Sequence, residues 1–252
     1  MPISSLSLAA LFFVASTALP LSSSLGIVDH QATICSSGVH IIHARGSTQT
    51  YEVSSINPLV NSIMAAVPNS SAEQVQYLAY LIADDTFYST SVCAGVIDTI
   101  DKIERYVDSC GDSSRIVLLG YRQGGNVVTS ALAGGLVKWL PLSPEYRKHS
   151  EFAFPSPDLK IRLIFWYRVF AVTSFGDPTH TKEAGYSYRS AEGSGIFKRL
   201  WPSTALLNTY LMRSYCLEDD LFCDNGFSLQ AHSAEMETYG PVAADWIIDL
   251  AT

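Results

Sequence analysis

The stretch Val117-Leu118-Leu119-Gly120-Tyr121-Arg122-Gln123-Gly124-Gly125 narrows the folds open to this chain more than any other. The residues Arg115 to Leu119 read as a strand, and those from about Gln123 to Ala133 as a helix. Between them the glycines have the spacing of a nucleophile elbow, G-x-S-x-G, a strand-to-helix turn too tight for a Cβ at either flank. The central residue of such a turn is forced into a strained conformation, usually with positive φ, which costs about 1 to 3 kcal/mol for a non-glycine residue. The strain normally presents a hydroxyl, and here the central residue is arginine. A glycine-rich connection carrying a surface arginine is the plainer reading, but the flanking strand and helix favour the elbow.

The rest of the chain fits that turn into an alternating pattern. "GVHIIHARG", residues 38 to 46, reads as a strand running into a Gly-bearing loop, and "INPLVNSIMAAVP" from Ile56 as a helix ended by Pro68. "AEQVQYLAYLI" from Ala72 reads as the next strand region, with a Ser/Thr-rich turn at Tyr88 to Ser91. In "AGVIDTIDKIERYVDSC", Val96, Ile100, Ile103 and Val107 share one helical face. "FAVTSFGDP" from Phe170 reads as a further strand, and "ETYGPVAADWIIDL" as a C-terminal helix. Strands alternating with helices predict a three-layer α/β sandwich around a central, mainly parallel sheet. With 252 residues, 48% of them hydrophobic, the chain can fill the core of one domain, expected over residues 30–252.

Residues 1–20 read as a secretory signal, with an apolar run from about Leu6 to Val14 and small residues at Ser16 to Ala18. That run is shorter than the ~20 residues of a membrane span, so no stable anchor is expected. A net charge of −8, with no basic stripe, argues against a nucleic-acid partner. Residues 150–168, "SEFAFPSPDLKIRLIFWYR", break the pattern with two prolines and no consistent period. Excising them joins a loop to the strand at Val169, so the segment is read as an insertion or as a retained intron in the gene model.

Five cysteines, Cys35, Cys93, Cys110, Cys216 and Cys223, suit an oxidising compartment and leave one unpaired. Their number does not determine the pairing. No CxxC or neighbouring Cys/His pair marks a metal site, and neither a metal nor a cofactor is expected. Asn69-Ser70-Ser71 is a sequon, making Asn69 a candidate glycosylation site. Asp177 and His180 in "GDPTH" are a possible acid and base, although Asp-Pro at a strand end is more often a turn device. Asp219 or Asp220 could equally cap or solvate its loop.

Three blocks together, "HARGSTQT" (43–50), "VLLGYRQGG" (117–125) and "YCLEDDLFCDNGFSLQAH" (215–232), resemble the secreted cutinase and acetylxylan esterase family, serine esterases of the cutinase-like α/β-hydrolase fold. The resemblance implies a nucleophile position at Arg122, where family members carry serine in G-Y-S-Q-G. It implies Asp220 and His232 as triad acid and base, and oxyanion donors at Ser47 and at the Gln123 N–H. It also implies disulfides Cys35–Cys110 and Cys216–Cys223, leaving Cys93 as a buried spare, and an ester or acylated polysaccharide as substrate or ligand of a secreted, monomeric protein.

Arg122 stands against that mechanism. A guanidinium stays protonated and has no lone pair with which to attack a carbonyl. Thr129 and Ser130 lie too far along the following helix to substitute. The expectations are therefore an esterase lineage with activity lost or very low, a non-catalytic binder of cutin or acetylated polysaccharide, or an active esterase whose codon 122 is a variant or an error. Arg122 is further expected to reach Asp220 and pair with it.

Overall fold

The computed structural model describes residues 33–81, 85–134, 168–188 and 190–252. The leader expected at 1–20 and all but the last residue of segment 150–168 lie outside the described residues. All described elements belong to the unit Ala32–Thr252.

Six strands, β1 (His40–Ala44), β2 (Ser71–Gln74), β3 (Ile116–Tyr121), β4 (Val169–Phe175), β5 (Ser187–Tyr188) and β6 (Met212–Tyr215), form one sheet in the order β2-β1-β3-β4-β6-β5. Every pairing is parallel. The sheet is thus more uniform than the mainly parallel one predicted. Central strands β1 and β3 are buried at every position, which explains the apolar run of β3 and the absence of polar/apolar alternation in both: a strand covered on both faces has no solvent side to mark with polar residues.

Alternate residues divide the core. Ile42, Leu118 and Val172 face helices α2 (Asp85–Cys110) and α3 (Gln123–Ala133), where Ile103, Val107, Val127 and Leu132 meet them. Ile41, Val117 and Leu119 face α1 (Asn57–Ala66) and α5 (Leu229–Ala251), packing with Ile63, Tyr239 and Ile247. Fully burying each such aliphatic side chain contributes roughly 1.5 to 3 kcal/mol. A short helix, α4 (Ser203–Leu207), precedes β6.

Three local readings of the sequence need correction. Tyr88 to Ser91 is not a turn but part of α2. Tyr88 is buried, and the Ser91 hydroxyl meets the Tyr80 N–H at 3.2 Å and Gln123 Oε1 at 3.5 Å. A hydroxyl with partners off the helix does not compete for the helix backbone. The strand expected across "AEQVQYLAYLI" stops at Gln74, because side chains take over the backbone beyond it: the Tyr51 hydroxyl meets both N–H and C=O of Tyr77. The C-terminal helix starts earlier than expected, at Leu229, where Ser228 Oγ caps it by accepting from the Ala231 N–H at 3.0 Å.

Cys35 is bonded to Cys110 and Cys216 to Cys223. Cys93 is free and half-buried rather than fully buried, and burial raises its thiol pKa. Asn69 is exposed at the α1–β2 turn with φ 56°.

Candidate active site

The C-terminal end of β3 delivers Arg122 into a turn built by its neighbours. Arg122 has φ 54° and ψ −115°, a conformation that side chains rarely adopt. Glycine is required on both sides. A Cβ on Gly120 would lie 2.4 Å from the Gly124 carbonyl oxygen, and one on Gly124 would lie 2.1 Å from that of Ala44. The strained strand-to-helix turn expected from the sequence is therefore present, and Arg122 occupies its apex.

The arginine side chain runs toward α5. Its Nη2 donates to the His232 carbonyl and to Ser233 Oγ, each at 3.1 Å, and its guanidinium lies 4.8 Å from the Tyr121 ring centre. Its Nε is buried with no hydrogen-bond partner. The expected pair with Asp220 does not form, because both carboxylate oxygens of Asp220 are already engaged.

Asp220 sits inside the Cys216–Cys223 loop with no exposed surface. Its Oδ1 accepts from the Phe222 and Cys223 N–H groups at 2.7 and 2.9 Å, and its Oδ2 lies 2.8 Å from His232 Nδ1. Burial pushes its pKa up. The bond and charge of His232, with the two amides, outweigh burial and hold the carboxyl below its ordinary range. Asp219 instead serves the loop: its Oδ1 accepts from the Phe227 N–H, and its backbone takes φ 64°. His232 lies in the first turn of α5, buried, with the Phe222 ring edge-on at 4.6 Å. A carboxylate fixing Nδ1 holds one imidazole tautomer and leaves Nε2 for proton transfer.

Ser47, Gln123, Arg122 and His232 line one cleft of about 370 Å³, with Leu81, Phe222 and Leu229 among its apolar walls. The Ser47 loop is pinned from beneath by Arg45, 4% exposed, which donates from Nε to the Gln49 carbonyl at 2.7 Å under the Tyr51 ring. Thr48, at φ 65°, donates its N–H to the Ala79 carbonyl. Gln123 donates from Nε2 to the Tyr80 carbonyl at 3.0 Å, and its own N–H opens α3, where first-turn amides have no intrahelical acceptor.

The alternative pair is elsewhere. Asp177 accepts from Thr129 and Thr179 hydroxyls, and both nitrogens of His180 meet serine hydroxyls, Ser214 and Ser187. Both residues are about as buried as the core, at 2% and 1% exposure, so they are interior hydrogen-bonding groups. Thr129 and Ser130 accept from the buried Arg199 guanidinium at 2.8 Å.

The sequence reading missed Glu235, which is fully buried behind Asp220. Its Oε1 accepts from the Leu217 N–H at 2.7 Å, and its Oε2 has no partner. Carboxylate oxygens of Glu235 and Asp220 and the sulfurs of Cys216 and Cys223 lie within 4.8 Å of one another, but the disulfide leaves those sulfurs no thiolate for a metal. Burial, with the nearby Asp220 charge, raises the Glu235 pKa to about 9. The spacing His232–Glu235, three residues apart on one helical face, was the available signal.

A family model described as Cutinase matches residues 35–250. Acetylxylan esterase 2 of Talaromyces purpureogenus is 26% identical over 246 residues, covering 95% of this chain and 95% of its own length. Cutinase 11 of Verticillium dahliae is 25% identical over 234 residues, 90% of this chain and 72% of its own. A solved acetylxylan esterase superposes with a TM-score of 0.68 at 24% identity, over 87% of this chain and 100% of its own.

Proposed function

The chain belongs to the cutinase family, and from that premise we propose that it is an esterase-fold protein in which Arg122 has removed ester turnover. The observation that carries the reading is the apex of the elbow: its strained backbone holds a guanidinium bonded to α5 in the same cleft as the Asp220–His232 pair. With serine at that apex, His232 would take the hydroxyl proton, Asp220 would stabilise the imidazolium, and the Ser47 and Gln123 amides would receive the oxyanion, forming an acyl-serine. With arginine there is no nucleophile, and the guanidinium occupies ground that an ester carbonyl would need. Esters and acetylated polysaccharides are the ligand class that follows from the family. Two disulfides suit an oxidising compartment, which supports secretion.

The test is hydrolysis of p-nitrophenyl acetate by the unmodified chain and by Arg122→Ser. The unmodified chain is expected at the uncatalysed rate and the variant at least about 10³-fold above it, since loss of a serine nucleophile can cost about 10⁶ in kcat. Equal, substantial turnover by both proteins sinks the proposal.

A further inference from the structure

The cleft holds a guanidinium that forms no ion pair with a described carboxylate, its charge acting only at longer range on Glu235. The hydrogen-bond partners of Arg122, a carbonyl and a hydroxyl, are both neutral, and its Nε has none. The nearest acids are committed elsewhere. Asp220 is saturated by two amides and His232, and Glu235, with a pKa of about 9, carries no charge at neutral pH. Ser47 and Gln123 line the same end of the cleft, and the N-terminus of α3, which opens at Gln123, adds to the positive potential there. Alongside this polar end the cleft is apolar, with Phe222 in its wall and Leu81 and Leu229 exposed at 55% and 60%.

Positive donors at one end and aliphatic walls along the other define the chemistry of an occupant. A sugar or an inorganic anion would leave the leucines and phenylalanine unmatched. A neutral ester would leave the guanidinium without a counter-charge. An aliphatic carboxylate satisfies both, since charge-assisted bonds to an anionic oxygen are roughly twice as strong as those to a neutral one.

We propose that the cleft is a binding site for a free medium-chain aliphatic carboxylate, with the carboxylate on Arg122 and the Ser47 and Gln123 amides and the chain against Leu81, Phe222 and Leu229. The proposal rests on the absence of turnover argued above. Replacing the nucleophile has turned the site from one that makes a carboxylic acid into one that retains it.

Isothermal titration calorimetry of the full chain with sodium octanoate at pH 7.5 tests this. Saturable 1:1 binding is expected, at least tenfold tighter than octan-1-ol and weakened by 0.5 M NaCl. Arg122→Met, of similar reach but uncharged, should lose at least tenfold in octanoate affinity and keep its weak affinity for octan-1-ol. Equal affinity for octanoate and octan-1-ol on the unmodified protein, which needs no variant to fold, overturns the proposal, as does undiminished octanoate binding by Arg122→Met. p-Nitrophenyl octanoate is assayed in parallel: turnover by the unmodified chain overturns both this and the reading beneath it, whereas no turnover with no octanoate binding overturns this one alone.

Discussion

Glu235→Gln should stabilise the protein by an amount that grows with pH. In the folded chain Glu235 has a pKa near 9, against 4.5 for the unperturbed group. Below pH 4.5 the group is protonated in both states, and its contribution to stability is fully present. Between about 4.5 and 9 the unfolded chain releases the proton while the folded chain keeps it, so stability falls as pH rises and levels off above 9. Each unit of that window is worth about 1.36 kcal/mol, which gives a cost of roughly 3 kcal/mol at pH 7. Glutamine preserves the acceptor for the Leu217 N–H and is neutral at every pH, so it removes the slope without opening a cavity. The assay is urea denaturation of both proteins at pH 5 and pH 8. The stability difference between variant and parent should widen by about 4 kcal/mol across that range. Parallel pH profiles for the two proteins would refute the claim that Glu235 is held protonated.

Gly124→Ala should fail to reach the native state at 37 °C, because its methyl would meet the Ala44 carbonyl oxygen at 2.1 Å with strand backbone on the other side; a Tm within 2 °C of the parent would contradict this. Replacing both Cys35 and Cys110 by serine should cost about 4 kcal/mol in the chain-entropy account of a loop this long, read by urea denaturation, while removing the much shorter Cys216–Cys223 loop should cost about 2.5 kcal/mol.

Sequence legibility followed the backbone. Gly120 and Gly124 could be read because no other residue fits their positions, β3 because an unbroken apolar run has few other homes, and β1 because its β-branched pair runs into a Gly-bearing loop. Strand β6, four residues long, and β5, two residues long, carry too little pattern to stand out; β6 forms on the edge offered by β4, and β5 on the edge offered by β6. The start of α2 was hidden because Ser91 looks like a turn residue until its buried partners are known. Asp220 and His232 came from resemblance, since twelve residues of spacing say nothing about a loop folded back on itself by a disulfide. The path of Arg122 could not be foreseen: the Phe222 and Cys223 amides and His232 occupy Asp220, and the guanidinium bonds the His232 carbonyl and the Ser233 hydroxyl instead.

The conformation of residue 122 is imposed by the glycines beside it and by the carbonyls they pack against, and owes nothing to its own side chain. Position 122 is therefore a fixed mounting point at the floor of a cleft. Any side chain introduced at 122 leaves the backbone in that same direction, with His232 and the Ser47 loop as its neighbours across the cleft.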